Sequence, residues 1–307
     1  MAPGPRRGIV GLLVVLVLAG CTGEATDDTA RTVVATTVLP PSITTSSTST
    51  STTTTSTTSS TTTTTLATTT TTIPDDAIDA EIGIPEGDGP FPAVVLAHGG
   101  GWVGGDPSIM RPLARFLNDN GFLTVNTRYA LSTVNRAGFP AAVEDVACAV
   151  RVAAALPESD GTVAIIGHSA GAHIGAIVAL TGDQYTGDCP VAGSGRPERF
   201  VGLAGPYDIS RIGFAMSIFF GGPEVDHPEA WRAGNPQLLT DENPDLDALI
   251  MYGELDGLVD SFFAFDFAGA LEDSGATALL ELVEGARHND MHDPGLVGDL
   301  IVTWLER

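Results

Sequence analysis

Apolar residues from about position 93 onward form short continuous runs that are separated by longer stretches with helical periodicity. We predict strands at residues 93–97, 122–129, 163–166, 200–204, 248–252 and 279–283. We predict helices at residues 112–120, 141–156, 170–180, 261–274 and 296–305. Continuous apolar strands that alternate with helices are typical of an α/β domain, in which a mostly parallel sheet carries helices on both faces.

The first quarter of the chain has a different pattern. Arg6 and Arg7 precede an apolar stretch, residues 9–18, which is too short to span a bilayer as a mature helix. The stretch ends in Leu-Ala-Gly-Cys at residues 18–21, which resembles a bacterial lipobox, so Cys21 is the predicted lipidation site. An ordinary secretory signal with a chance cysteine is the alternative, and both interpretations predict an extracytoplasmic protein.

Residues 42–72 are almost entirely Thr and Ser and have no apolar periodicity. Such a segment cannot bury enough apolar surface to fold, which predicts a flexible tether. The chain therefore divides into a lipoprotein signal peptide with its lipobox (1–21), a disordered Thr/Ser-rich linker (22–76) and one globular domain (77–307). The globular domain is long enough for a single sizeable core.

Charge and cysteine content narrow the possible partners. The formal net charge is −24, and all 14 basic residues are Arg. Nucleic acid is not an expected partner, because phosphate binding needs a concentrated basic face, and membrane contact is expected only through a lipid on Cys21. The remaining cysteines, Cys148 and Cys189, form an even pair in an oxidising compartment, which predicts a disulfide.

The strongest chemical motif is Gly-His-Ser-Ala-Gly at residues 167–171, between a predicted strand and a predicted helix. A nucleophilic serine on a tight strand-to-helix turn requires small flanking residues and that context. The following helix directs its N-terminus at the serine, which favours developing negative charge. Ser169 is therefore the candidate nucleophile.

A second motif, His-Gly-Gly-Gly-Trp at residues 98–102, follows the first apolar strand. Consecutive glycines cost backbone entropy, and they are useful where main-chain N–H groups must approach another group. We predict that the N–H groups of Gly99, Gly100 and Ala170 form an oxyanion hole. A plain glycine-rich turn is the alternative. His98 and Trp102 are expected to support the loop.

A nucleophilic serine needs a base and a carboxylate that orients the base, and in this architecture they follow in the order Ser, acid, His. Asp256, just past the strand at 248–252, is the predicted acid, with Glu254 and Asp260 as rivals. His288 is the predicted base because it is nearer the end of the strand at 279–283, and His292 is its alternative.

The same two histidines are four residues apart, a spacing that can bind zinc on a helix. Pro294 and the turn-rich flanks argue against a helix there. We therefore expect no metal, and no cofactor is predicted.

The two motifs, together with Gly-x-x-Asp at 253–256 and Gly-x-x-His at 285–288, resemble the carboxylesterase branch of the α/β-hydrolases over residues 84–305. Similar enzymes include the relatives of hormone-sensitive lipase, feruloyl and acetyl-xylan esterases, and kynurenine formamidase. The resemblance implies the α/β-hydrolase fold with a short cap in residues 205–247. Members of this branch usually begin with a longer pair of antiparallel strands. Here only residues 78–84 are available, which predicts abbreviated first strands. Asp260 departs from the proline often found there, which weakens the assignment of the acid.

These patterns predict a serine hydrolase that cleaves small to medium carboxylic esters through an acyl-enzyme, with a small-molecule ester as its partner. An amide hydrolase, either arylformamidase-like or peptidase-like, is an alternative. A non-catalytic cell-surface binding protein on the same scaffold is another, although such a protein has no reason to keep all four motifs. The apolar cap residues either line a substrate pocket or pack on the sheet; they are Phe214, Met216, Ile218, Phe219 and Phe220.

Overall fold

Strands form one twisted sheet in the computed structural model, which describes residues 77–307. The predicted signal peptide, Cys21 and the Thr/Ser-rich linker lie outside the described residues. The strands are β1 (Ala80–Gly83), β2 (Phe91–Ala97), β3 (Leu123–Thr127), β4 (Ser159–His168), β5 (Arg199–Leu203), β6 (Asp247–Gly253) and β7 (Thr277–Val283). Their order is β1-β3-β2-β4-β5-β6-β7, with β1 antiparallel to β3 and all other pairs parallel.

All six predicted strands are confirmed, and the burial of β2 explains why their apolar runs are continuous. The side chains of Val95 and Ala97 enter one core cluster, whereas those of Val94 and Leu96 enter a second. Successive side chains of a strand point to opposite faces of its sheet. Since helices cover both faces, every position of the run is buried.

The helices are α1 (Arg111–Asp119), α2 (Ala141–Ala155), α3 (Ala170–Thr181), α4 (Ser217–Phe220), α5 (Pro228–Ala233), α6 (Phe262–Ser274) and α7 (Pro294–Leu305). Apolar residues of α1 and α7 belong to the second core cluster, whereas those of α2, α3 and α6 belong to the first. The five predicted helices are confirmed; α4 and α5, both short, were not predicted. No helix within residues 77–307 is both long and apolar enough to cross a membrane.

The first edge of the sheet is abbreviated, as predicted from the few residues available before β2. One antiparallel strand, β1, precedes β2 in the described chain, and Ile82 pairs with Val125 of β3. Glu81 of β1 receives hydrogen bonds from Arg111 at the start of α1. This short strand is therefore held both by its neighbour in the sheet and by a helix.

The predicted disulfide joins Cys148 on α2 to Cys189 in the loop after α3, with their Cα atoms 5.5 Å apart. The buried Arg151, also on α2, donates to the carbonyl oxygens of Tyr185 (2.9 Å) and Gly193 (3.2 Å) in the same loop. A covalent link and a buried guanidinium thus fix this loop to the helix.

Candidate active site

Ser169 occupies a strained turn between β4 and α3. Its φ of 54° and ψ of −119° lie outside the regions that non-glycine residues ordinarily adopt, at a cost of ~1–3 kcal/mol. A Cβ added at Gly167 would lie 2.4 Å from the carbonyl oxygen of Gly171, and one added at Gly171 would lie 2.1 Å from that of Ala97. The small residues of the motif are therefore required by the close approach of the backbone.

The carboxyl ends of β4, β6 and β7 bring three distant side chains into one hydrogen-bonded line. His288 Nε2 lies 2.9 Å from Ser169 Oγ, and His288 Nδ1 lies 2.8 Å from Asp256 Oδ2. Because an ionised carboxylate only accepts, Nδ1 carries the proton of the neutral ring and Nε2 is free to accept from the serine. The histidine is 8% exposed, so water has little access to this line.

The environment of Asp256 keeps its side chain ionised. Burial pushes the pKa of Asp256 upward, but hydrogen bonds from His288 and from two backbone N–H groups outweigh burial, and the pKa lies below its ordinary value. Those N–H groups belong to Leu258 (2.8 Å) and Val259 (2.9 Å), and both donate to Oδ1. One carboxylate oxygen is thus held by the loop, while the other faces His288.

The rival acids have other roles in the structure. Glu254 Oε2 accepts the N–H of Gly285 at 2.8 Å and so joins the loop of the acid to the loop of the base. Asp260 Oδ1 accepts the N–H of Phe262 at 3.1 Å, at the first residue of α6.

His292, the alternative base, lies further from the line. Its ring packs against that of His168, with the two ring centres 4.9 Å apart. Among the described residues it is His288 whose imidazole contacts Ser169. Within residues 77–307 no three or more His, Cys, Asp or Glu side chains form a group that could hold a metal ion.

The triple-glycine loop lies directly beside the serine. A Cβ added at Gly99 would lie 3.3 Å from the Ser169 Cβ, and Gly100 and Gly101 adopt positive φ values of 135° and 59°. Within residues 77–307, no backbone carbonyl accepts the N–H groups of Gly99, Gly100 and Ala170. These three predicted donors are therefore available to a ligand.

His98 and Trp102 support this loop from its two ends. The buried ring of His98 stacks on Tyr129 with 4.4 Å between ring centres, and the Tyr129 hydroxyl donates to the His98 carbonyl at 2.7 Å. The indole N–H of Trp102 donates to His173 Nδ1 at 3.1 Å. His173 Nε2 in turn lies 2.8 Å from the carbonyl oxygen of Gly234 in the cap.

No role was predicted for His168 or His173, although both side chains are almost fully buried beside Ser169. Their positions next to Ser169 and one turn along its helix were visible in the sequence. Their hydrogen-bond partners, His288 and Gly234, lie on distant loops. Nothing in the sequence indicates those contacts.

The cap residues differ in burial. Met216, Phe219 and Phe220 belong to the first core cluster, and the Phe219 ring packs near the rings of Trp102 and His173. Phe214 is 83% exposed, and together with Ile218 it lines a groove of about 620 Å³. The groove lies between residues 133–137 and residues 214–222, and the latter segment includes α4.

The family model described as BD-FAE matches residues 81–271, which is more than half of the chain. No protein with curated annotation matches the chain. Solved structures with a similar fold are numerous, and three of them have sequence identities of 19–23% to this chain.

One such structure is a bifunctional GH43-CE protein of Bacteroides eggerthii, with 23% identity, a TM-score of 0.63 and coverage of 73% of this chain and 33% of that one. This chain thus spans about a third of that protein. A truncated carbohydrate esterase from gut microbiota has 21% identity and a TM-score of 0.62, over 73% of this chain and 89% of that one. An acetyl ester-xyloside bifunctional hydrolase from Caldicellulosiruptor lactoaceticus has 19% identity and a TM-score of 0.62, over 74% and 87%.

Proposed function

Since this chain belongs to the BD-FAE family of α/β-hydrolase-like esterases and is a carboxylic-ester hydrolase, we propose that Ser169, His288 and Asp256 form its catalytic triad. The observation that carries the proposal is the hydrogen-bonded line from Ser169 Oγ through the His288 ring to Asp256 Oδ2, with distances of 2.9 and 2.8 Å. Both distances are within the range that proton transfer and ring orientation require.

In the first half of the proposed reaction, Ser169 Oγ attacks the carbonyl carbon of the ester while His288 Nε2 takes the hydroxyl proton. Asp256 accepts from Nδ1–H and stabilises the imidazolium that forms. The carbonyl oxygen becomes negatively charged and accepts hydrogen bonds from the N–H groups of Gly99, Gly100 and Ala170. Loss of one such donor typically costs ~3 kcal/mol of barrier stabilisation.

The tetrahedral intermediate then collapses, and its C–O bond to the leaving alcohol breaks. His288 donates its proton to that alcohol, which leaves the acyl group on Ser169. In the second half, His288 removes a proton from water, which attacks the acyl carbon. The bond between the acyl carbon and Ser169 Oγ then breaks, the carboxylic acid is released, and His288 returns its proton to Ser169 Oγ.

The proposed substrates are small to medium carboxylic esters, because every helix in the described segment between β5 and β6 is short, the longest being α5 with 6 residues. Acetyl esters of sugars are the first class to examine, since two proteins of similar fold are a carbohydrate esterase and an acetyl ester-xyloside bifunctional hydrolase.

The proposed location is extracytoplasmic, with the domain held at the membrane by a lipid on Cys21 and a Thr/Ser-rich tether. Cys21→Ser is expected to shift the protein from the membrane fraction to the medium. Equal membrane retention of both forms would contradict the anchor.

A substrate panel tests the proposed function. The panel contains p-nitrophenyl esters of rising acyl length, acetylated xylosides and N-formylkynurenine, each assayed with the wild type and with Ser169→Ala. We expect turnover of the short esters by the wild type and its loss in the variant, with unchanged circular dichroism. Turnover restricted to N-formylkynurenine would indicate an amide hydrolase, and ester turnover retained by Ser169→Ala would contradict the triad.

A further inference from the structure

The imidazole of His168, the residue before Ser169, lies behind the proposed triad. The side chain is 3% exposed, and its Nε2 lies 2.9 Å from the backbone carbonyl oxygen of His288. A carbonyl oxygen only accepts, so Nε2 carries a proton and donates it to this bond. Burial lowers the pKa of His168 to about 3, with a further lowering from the neighbouring His288. The ring is therefore a neutral donor.

The loop that carries the base is attached to the rest of the site by two sets of contacts. One set joins it to the loop of the acid: the N–H of Leu255 donates to the carbonyl of Ala286 at 2.8 Å, and Glu254 Oε2 accepts the N–H of Gly285. The other is the bond from His168, which comes from β4, the strand that carries the serine. The first set fixes His288 relative to Asp256, and the His168 bond fixes it relative to Ser169.

The His168 ring also contacts the triple-glycine loop (residues 99–101), which supplies two of the proposed oxyanion donors and is called the oxyanion loop below. A Cβ added at Gly99 would lie 2.6 Å from His168 Nδ1, so the backbone of the first glycine packs directly on this atom. The ring centre of His288 is 5.0 Å from that of His168, and the ring centre of His292 is 4.9 Å from it. His168 therefore contacts both the oxyanion loop and the base while it is covalently next to the nucleophile.

We propose that His168 is a positioning residue that keeps the His288 imidazole within proton-transfer distance of Ser169 Oγ. It does so through a neutral N–H donor to the backbone of the base. Neutrality is part of the role, because a cation 5.0 Å from His288 would oppose the imidazolium that forms in the transition state. The inference rests on the proposed triad, since it assigns a role relative to His288 and Ser169.

Two substitutions separate the hydrogen bond from packing. His168→Leu introduces an apolar side chain of similar size that has no hydrogen-bond donor, whereas His168→Gln places an amide nitrogen near the position of Nε2. The matched control is His292→Leu, which removes another imidazole packed against His168 but no hydrogen bond to the base. Steady-state kinetics with p-nitrophenyl acetate are normalised to the number of serines that react with a fluorophosphonate probe, and the melting temperature is recorded.

We expect His168→Leu to lower kcat by ~10²-fold with KM within ~2-fold, because displacement of a catalytic group by about 1 Å has that effect. His168→Gln is expected to recover kcat to within ~5-fold of the wild type, and the control variant to stay near it. If His168→Leu does not fold, His168→Phe replaces it as the donor-free variant.

An unchanged kcat in the donor-free variant would overturn the inference while leaving the triad intact. Equal losses of kcat in the Leu and Gln variants, in proportion to the fall in their melting temperatures, would also overturn the inference, since they would show a packing role. Absence of ester turnover by the wild type would overturn the proposed function and this inference together.

Discussion

The indole N–H of Trp102 donates to Nδ1 of His173 across 3.1 Å, and this bond attaches the triple-glycine loop to α3, the helix that begins beside Ser169. His173 is 0% exposed and is held from its other side by the carbonyl oxygen of Gly234. The triple-glycine loop, α3 and the cap are therefore connected through the imidazole of His173. Burial lowers the pKa of His173 to about 4, so this ring is neutral.

Trp102→Phe keeps an aromatic ring but removes this donor and leaves His173 Nδ1 buried without a partner. We expect kcat/KM for p-nitrophenyl acetate to fall by ~10–100-fold, because an unsatisfied buried group costs about 1–3 kcal/mol and frees the loop. Trp231→Phe is the matched control, since it removes an indole bond of 3.0 Å to the carbonyl of Gly222 in the cap. A similar loss of activity in both variants would contradict a specific role for Trp102.

The two candidate bases are separated by single substitutions. His288→Ala is expected to reduce kcat by ~10³-fold or more, and Ser169→Ala plus His288→Ala together to be little worse than either alone, because triad members act as a unit. His292→Ala is expected to stay within ~10-fold of the wild type. If His292→Ala were the damaging change, the assignment of the base would be wrong.

The acid is tested by a pair of isosteric changes. Asp256→Asn removes the carboxylate that fixes the tautomer of His288, and a fall in kcat on the order of 10³–10⁴ is expected. Asp260→Asn alters only the start of α6 and is expected to retain wild-type kcat, with a small decrease in melting temperature. Equal kcat values for the two variants would refute the assignment of Asp256.

Acid sensitivity of stability is expected from His168 and His173, two of the buried histidines. Burial lowers the pKa of His168 to about 3 and that of His173 to about 4, whereas both titrate near pH ~6.5 in the unfolded chain. The unfolded state binds more protons between these values, so their contribution to stability is complete above pH ~6.5 and is lost as the pH falls toward the folded pKa values. Each contributes a slope of up to ~1.4 kcal/mol per pH unit.

Urea unfolding at pH 7, 6 and 5 measures that slope. His173→Gln is expected to reduce it by up to one residue's share, and NMR titration should show no shift of either buried ring's Cε1–H signal above pH 5. An unchanged slope in the variant, or a ring signal that titrates near pH 6.5, would contradict the assigned neutral state.

The disulfide is expected to contribute stability and little activity. Cys148 and Cys189 close a segment with a sequence separation of 41, for which the loop-entropy relation gives about 4 kcal/mol. The double change to Ala should lower the urea midpoint accordingly while kcat stays near the wild type. Mass spectrometry of the non-reduced protein checks the bond itself, and free thiols there would contradict it.

Local sequence patterns were sufficient to predict the main strands and helices and the candidate site residues. The continuous burial of β2 in two cores explains why an unbroken apolar run predicted a strand, and the close backbone contacts of Gly167 and Gly171 explain why the elbow required glycines. The order of the motifs likewise gave Ser169, Asp256 and His288 as candidates, because each follows the carboxyl end of a predicted strand. These patterns are local. A steric or hydrophobic requirement at one position restricts the residue types found there, so it can be recognised in the sequence.

Only the tertiary structure decided which of the rival groups faces the serine. His288 rather than His292 contacts Ser169, Glu254 binds the neighbouring loop, and His168 donates to the base from the nucleophile strand. The role of a polar side chain depends on which partner lies within about 3 Å. Partners more than a hundred residues apart in sequence are brought together by the order of the strands in the sheet. Residue types and spacing therefore determined the chemistry available to this chain, while sheet packing determined which atoms meet.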